Sequence, residues 1–218
     1  MQNEGAHHGA NVVDDDDFEA QRRAFMYPTQ LDDHLCVGSY RHAVCSPVLA
    51  ELNITAILCV KDSCRFPGDE TVFAHVPLSD FGDTELCGSP VAGAVPNDSS
   101  AVPDDSPLGQ CAAFVRRCAA EGRVTLVHCS QGVNRAPTVA IGVLMLNNRW
   151  TLRRAYQHVA ERRGMASPHE RYFEQLQDLD VRLHGGDGPS LTREDVGPSL
   201  QQIMRDAAAK ADAETGTD

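Results

Sequence analysis

The chain has 218 residues, enough for one domain with tails, and carries a net charge of −12. This charge disfavours nucleic acid and anionic membranes as general partners. The eight cysteines form no Cys-x-x-Cys pair or zinc-finger pattern, and no apolar run is long enough for a signal peptide or a membrane span. We therefore expect a cytoplasmic protein, with a nuclear location as the alternative, whose thiols are reduced and which does not insert into membranes.

The first half of the chain alternates strand and helix patterns. Residues 1–27 are polar and acidic, which predicts a flexible N-terminal arm. A short strand is predicted over 31–37, and helical spacing follows over 43–52. Residues 54–60 are almost continuously apolar, as expected of a strand buried on both faces, and 71–78 predict a further strand.

The second half begins with residues 87–103, whose Gly, Pro, Ser and Asp content predicts an inserted loop. A short buried strand is predicted over 124–127. Helices are predicted over 106–121, 137–146, 151–163 and 168–184. The alternation predicts an α/β fold: one domain over 28–185, with a central mostly parallel or mixed sheet flanked by helices. Residues 186–218 are expected to form a flexible C-terminal tail.

The segment from His128 to Arg135, His-Cys-Ser-Gln-Gly-Val-Asn-Arg, lies between the last predicted strand and an apolar helix. Backbone N–H groups and the positive end of the helix dipole converge on such a loop, which favours a bound phosphate. Cys129 in this position is expected to act as a thiolate nucleophile. Gly132 permits the tight turn, and Arg135 can grip two phosphate oxygens. His128 is expected to orient the loop through hydrogen bonds.

With this motif, residues 28–184 resemble the dual-specificity phosphatases, a branch of the protein tyrosine phosphatase superfamily with the signature His-Cys-x5-Arg. Leu-Cys-Val-Gly-Ser at 35–39 and Val-Pro-Leu-Ser-Asp at 76–80 extend the resemblance. It implies a phosphocysteine intermediate on Cys129 and no metal or other cofactor. The phosphate-binding residues implied are Ser130, Gln131, Gly132, Val133, Asn134 and Arg135. The resemblance also implies an aspartate as proton donor, for which Asp80 is the first candidate and Asp83 the second.

Two positions bear on how the resemblance is interpreted. Ala136 stands where the family usually has Ser or Thr, so we expect slow hydrolysis of the phosphocysteine. Cys59 lies near the end of a predicted strand. In the related phosphoinositide phosphatases, a cysteine in the matching region bonds to the nucleophile, which makes Cys59 a candidate redox partner of Cys129, with Cys64 as the second candidate.

The leading functional hypothesis is a phosphatase acting on phosphorylated protein, on Tyr and also on Ser or Thr. A non-catalytic phosphoresidue-binding module is one alternative, although such modules usually lose the Cys or the Arg. Phosphatases of lipid or of RNA 5′-phosphate are the others. The uncharged loop between Cys129 and Arg135 and the acidic composition favour a protein substrate over both. The sequence does not determine an oligomeric state.

Overall fold

A computed structural model describes residues 22–23, 25–64, 71–89, 102–199, 202–203 and 206. Its five strands form one sheet: β1 (Thr29–Gln30), β2 (Leu35–Ser39), β3 (Ile54–Cys59), β4 (Val72–His75) and β5 (Val124–Cys129). The strand order is β1-β2-β5-β3-β4. β1 runs antiparallel to β2, and the other neighbours are parallel. The predicted mixed sheet in a single domain is thereby confirmed.

Helices cover both faces of the sheet. They are α1 (Tyr40–Ala43), α2 (Ser46–Glu51), α3 (Pro107–Ala120), α4 (Arg135–Asn148), α5 (Leu152–Arg162), α6 (Glu170–His184) and α7 (Arg193–Val196). The start of α3 illustrates the local signals. The Ser106 hydroxyl accepts a hydrogen bond from the Gly109 N–H, and Pro107 occupies the first turn, where its missing N–H costs nothing.

The core has a large and a small layer on opposite faces of the sheet. Alternate strand residues serve the two faces: Leu58 and Val127 belong to the large layer under α3 to α6, while Ile57 and Leu126 belong to the small layer under α1 and α2. α4 is buried along most of its length. Its N-terminus is therefore fixed against the carboxyl edge of the sheet.

Two predicted elements of the first half differ in detail. The strand predicted over 31–37 begins only at Leu35, because residues 32–34 form a turn. The helix predicted over 43–52 is two helices, α1 and α2. Pro47 explains this break, since a residue without an N–H begins a helix but cannot continue one. Most of the predicted 87–103 insertion lies outside the described residues.

Residues 186–199, predicted to begin a flexible tail, make contacts with the domain. The Asp180 carboxylate, almost completely buried, accepts hydrogen bonds from the Leu152 N–H at 2.8 Å and from the Ser190 N–H at 2.6 Å. Leu191 is 1% exposed, and the Arg193 guanidinium lies 4.0 Å from the centre of the Phe173 ring. The buried Asp180 carboxylate and the Leu191 side chain thus hold residues 186–199 on the domain, although the composition of this segment is mostly polar.

The N-terminal arm is outside the described residues up to 21, but its end contacts the domain. The Phe25 carbonyl accepts a hydrogen bond from His42 Nε2 at 3.0 Å, and the Tyr27 hydroxyl donates to Glu51 at 3.3 Å. Phe25 and Tyr27, just before the predicted domain boundary at 28, therefore contact α1 and α2. No helix in the described ranges has the length and apolarity needed to cross a membrane.

Candidate active site

The phosphate loop, residues 129–135, connects the central strand β5 to the N-terminus of α4. Cys129 is 2% exposed, and the Gly132 N–H donates to its Sγ at 3.2 Å. Gly132 has a φ of 73°, and a Cβ there would lie 2.5 Å from the Gly38 carbonyl oxygen. The loop can therefore close around Cys129 only with glycine at this position.

The Arg135 guanidinium is buried and makes four polar contacts around the loop. Its Nη2 donates to Ser130 Oγ at 3.1 Å, and its Nη1 donates to the Leu78 carbonyl at 3.3 Å. Nη1 is also 3.2 Å from Asp62 Oδ2, and Nε lies 3.0 Å from Asp80 Oδ1. Asp62 was not among the predicted site residues, because it belongs to no recognisable sequence motif.

Arg163 is a second buried guanidinium that the sequence did not reveal. It is 1% exposed, and its Nε donates to the Gly132 carbonyl at 2.7 Å, while Nη1 donates to Thr29 Oγ1 at 3.1 Å. Burial lowers the pKa of Arg163 to about 10, and its attraction to Cys129 acts in the opposite direction. Arg163 therefore stays charged at neutral pH, directly behind the Gly132 carbonyl of the loop. A single Arg at a helix end gave no signal in the sequence.

The acid loop, residues 79–84, brings Asp80 but not Asp83 to the phosphate loop. Asn134 Nδ2 donates to the Asp80 carbonyl at 3.0 Å and to its Oδ1 at 3.1 Å. Asp83 instead pairs with Arg171 on the protein surface. Of the two predicted acids, Asp80 alone contacts Arg135 within the described structure.

Asn134 connects three parts of the site. Its amide nitrogen holds Asp80, and its Oδ1 accepts a hydrogen bond from the His169 N–H at 2.8 Å, just before α6. The predicted role of Asn134 was phosphate binding, but these contacts use both ends of its amide. The side chain is therefore placed to position the acid loop.

The other predicted loop residues are held through their backbone. The Ser130 carbonyl accepts from the Tyr40 N–H at 3.2 Å, and the Val133 carbonyl accepts from the Ser167 N–H at 2.7 Å. Gln131 is exposed, with its carbonyl oxygen 3.5 Å from Arg163 Nη2. These carbonyl bonds tie the loop to α1 and to the segment before α6, and the Gly132 N–H donates to Cys129 Sγ.

His128 lies behind the nucleophile and is 1% exposed. Its Nδ1 is 3.3 Å from the Cys129 carbonyl oxygen. Burial lowers the pKa of His128 to about 4, although that hydrogen bond acts in the opposite direction. The imidazole is therefore neutral at pH 7. It holds the Cys129 backbone, in line with its expected orienting role.

The structure gives Cys59 a different partner from the predicted one. Cys59 forms a disulfide with Cys64, and Cys129 is a free thiol. Strand geometry explains this correction. Cys59 pairs in register with His128, so both side chains point to the small-layer face, whereas Cys129 points to the large-layer face. The disulfide also departs from the expectation that the thiols are reduced.

A cavity of about 300 Å³ adjoins the phosphate loop. Ser130, Gln131 and Met165 line one part of it, and Phe25 and Arg41 line another. The guanidinium of Arg41 lies 5.1 Å from the centre of the Phe25 ring, which is itself 56% exposed. The cavity therefore offers apolar surface and positive charge beside the phosphate loop.

Comparison with known proteins identifies the family of the chain. The sequence model of the family described as "Dual specificity phosphatase, catalytic domain" matches residues 35–181. The chain belongs to the dual specificity phosphatase family. The predicted class of enzyme, a protein-tyrosine/dual-specificity phosphatase, is confirmed by this match to the catalytic domain of that family.

Among its relatives, the Arabidopsis thaliana "Dual specificity protein phosphatase 1" is 31% identical over 73% of this chain and 72% of its own. The Rattus norvegicus "Dual specificity protein phosphatase 5" is 28% identical over 72% of this chain but only 36% of its own. The crystal structure of human DUSP28 is similar in fold, with a TM-score of 0.58 at 22% identity, and covers 70% of this chain and 94% of that protein.

Proposed function

We propose that this domain hydrolyses phosphate monoesters on protein Tyr and Ser/Thr side chains through a phosphocysteine on Cys129. The geometry that supports this most directly is the position of Cys129 Sγ. It lies inside a loop closed by the Gly132 N–H at 3.2 Å, and Arg135 in the same loop contacts Asp80. The nucleophile and the phosphate clamp thus belong to one loop, and the acid contacts the clamp.

In the first step, the Cys129 thiolate attacks phosphorus while the bond from phosphorus to the substrate oxygen breaks. Arg135 and the N–H groups of the loop stabilise the charge on the three equatorial oxygens. To receive the phosphate, the Arg135 guanidinium has to exchange its contacts with Ser130 and Asp62 for phosphate oxygens. Asp80 donates its proton to the departing oxygen.

In the second step, the same carboxylate of Asp80 takes a proton from water as the water attacks the phosphocysteine. The sulfur leaves as a thiolate, which the charge of Arg163 stabilises. Ala136 provides no hydroxyl to assist this departure. The Thr138 hydroxyl does not replace it, because it donates to the Asn134 carbonyl at 2.9 Å. We expect the second step to be slow.

A protein substrate is supported by the surroundings of the loop. Ser130, Gln131, Val133 and Asn134 carry no charge, so the loop does not provide cations for additional phosphates. The neighbouring cavity, with Phe25 and Arg41 in its lining, suits the side chains that flank a phosphorylated residue.

The test compares the wild type with Cys129→Ser on an aryl phosphate, a phosphotyrosine peptide, a phosphothreonine peptide, a phosphoinositide and an RNA 5′-triphosphate. We expect turnover of both peptides that Cys129→Ser abolishes and that Cys45→Ser, a matched change outside the site, leaves intact. Binding of the peptides without Cys129-dependent turnover would instead indicate a phosphoresidue-binding module. Preference for the phosphoinositide or the RNA would contradict the protein substrate.

A further inference from the structure

Cys59, Cys64 and His128 form a compact cluster behind the phosphate loop, on the small-layer face of the sheet. β3 pairs Cys59 in register with His128 of β5, and the loop after β3 brings Cys64 back to Cys59. One donor atom from each of the three residues lies within 4.8 Å of the other two. The catalytic steps proposed above use neither cysteine.

The orientation of the imidazole is that of a metal ligand. Because the Cys129 carbonyl can only accept, His128 Nδ1, 3.3 Å away, carries the proton, and the lone pair is on Nε2. Nε2 points to Cys64 Sγ at 3.7 Å. A histidine that ligates a metal commonly donates its other N–H to such a carbonyl, which fixes the tautomer and the ring.

The separation of the donor atoms also suits zinc. Zn–S bonds of about 2.3 Å and Zn–N bonds of about 2.0–2.1 Å in a tetrahedral site place S and N about 3.6 Å apart. The Sγ of Cys64 and Nε2 of His128 are 3.7 Å apart. The two sulfur atoms are bonded to each other in the disulfide, so they have to separate before both can bind a metal.

We propose that Cys59 and Cys64, when reduced, bind Zn²⁺ together with His128, and that formation of the Cys59–Cys64 disulfide closes this site. Two thiolates and one imidazole are a preferred ligand set for zinc, and water completes the coordination from the side of the half-buried Cys64. On binding, each thiol releases one proton. On oxidation by hydrogen peroxide, the two thiols give up two electrons and two protons, the S–S bond forms, and the peroxide becomes two molecules of water.

The cluster is connected to the catalytic groups in two ways. His128 holds the Cys129 carbonyl, and the loop that carries Cys64 also carries Asp62, which pairs with Arg135 at 3.2 Å. A change between zinc and disulfide therefore acts on both the nucleophile and the phosphate clamp. This link to catalysis rests on the proposed phosphatase function, whereas binding of the metal does not.

The experiment titrates the reduced full chain with Zn²⁺ in competition with a chromophoric chelator. Co²⁺ serves as a spectroscopic substitute, because thiolate ligands give it a charge-transfer absorption. We expect the wild type to bind one tight equivalent, and we expect Cys64→Ser to lose it. Cys59→Ala is a second variant with the same expected loss. Because Cys64 is half-buried whereas Cys59 is fully buried, substitution of Cys64 is the variant that best preserves the fold.

Two controls separate this site from other thiols. Cys45→Ser, a free cysteine outside the cluster, and Cys129→Ser, the nucleophile, should each keep the tight equivalent. The proposal is overturned if Cys64→Ser still binds zinc tightly, or if Cys129→Ser loses it. It is also overturned if wild type with a mass-mapped Cys59–Cys64 disulfide binds zinc as tightly as the reduced protein. None of these measurements depends on phosphatase activity. Failure of the zinc site can therefore be distinguished from failure of the proposed phosphatase function.

Discussion

The phosphate loop and the acid loop meet at Arg135 but are held in different ways. The phosphate loop is fixed through its backbone: Arg163 binds the Gly132 carbonyl, and Ser167 binds the Val133 carbonyl. These donors come from the segment between α5 and α6, so the cradle is part of the domain core. A cradle supported in this way is already shaped for phosphate before the substrate arrives.

The acid loop is more exposed and depends on a few side chains. The Asp80 side chain is 55% exposed and Phe81 is 73% exposed. The Tyr172 hydroxyl donates to the Ser79 carbonyl at 2.5 Å, and Asn134 holds Asp80. The predicted nucleophile thus lies in a cradle held by the domain core, while the predicted proton donor lies on an exposed loop held by a few side chains. Substitutions in the phosphate loop should therefore reduce activity more than substitutions in the acid loop.

The largest effect is expected from Arg135→Lys. A lysine loses the planar fork that binds two phosphate oxygens, so kcat/KM on the phosphotyrosine peptide should fall by about 10² to 10³-fold. Steady-state kinetics measures this fall. Arg116→Lys, an exposed change outside the site, is the matched control and should alter kcat/KM little. A loss below tenfold for Arg135→Lys would show that the loop N–H groups bind the phosphate without the clamp.

The next effect concerns the acid loop. Asp80→Asn should lower kcat/KM by about 10²-fold or more on a phosphothreonine peptide, because an alkoxide leaving group needs a proton more than a phenoxide does. The limb of the pH–rate profile on which activity falls as pH rises should also disappear. Asp83→Asn is the control, since Asp83 pairs with Arg171 away from the loop. If Asp83→Asn alone removes that limb, Asp83 and not Asp80 is the proton donor.

Asn134→Ala tests the connection between the two loops. Loss of the hydrogen bonds to Asp80 should reduce kcat by about tenfold, equivalent to about 1.4 kcal/mol, and leave KM nearly unchanged. Asn147→Ala removes a comparable hydrogen bond to the Ala112 carbonyl elsewhere on α4 and is the matched control. The reduction should nearly vanish in an Asp80→Asn background. A full reduction in that background would mean that Asn134 acts on phosphate directly.

A smaller gain is expected from Ala136→Ser. A hydroxyl that assists the departing sulfur is worth about 1 kcal/mol, so breakdown of the phosphocysteine should accelerate a few-fold. Rapid quench on an aryl phosphate should show a burst in the wild type and a reduced burst in the variant. Absence of a burst in the wild type would place the slow step elsewhere.

The smallest effect concerns His42 in α1. This helix contacts the phosphate loop through the Tyr40 N–H, which donates to the Ser130 carbonyl. His42 Nδ1 accepts the Ser39 N–H at 3.1 Å, and burial lowers the pKa of His42. The unfolded chain therefore takes up the proton more readily, and the free energy of unfolding falls as pH drops below about 6.5. His42→Asn keeps an acceptor without a titrating ring, so urea denaturation at pH 7.5 and 5.5 should show a smaller fall. An equal fall in both proteins would contradict this role.

Much of the fold followed from local patterns. The apolar run at 54–60 and the helix over 106–121 correspond to β3 and α3, because continuous burial and a capped amphipathic pattern are written into neighbouring residues. The packed segment 186–199 was missed. Its anchors are the buried carboxylate of Asp180 and the side chain of Leu191, and neither stands out in a polar stretch.

The sequence by itself determined the phosphate loop, because Cys129, Gly132 and Arg135 act through fixed spacing between a strand and a helix. Only the tertiary structure decided which distant groups reach that loop. It brought Asp80 rather than Asp83 to Arg135, placed Arg163 behind Gly132, and turned Cys59 towards Cys64 and His128. The physical reason is that these contacts depend on strand register and on which face of the sheet a side chain occupies, and both are fixed only when β3, β5 and α4 pack together.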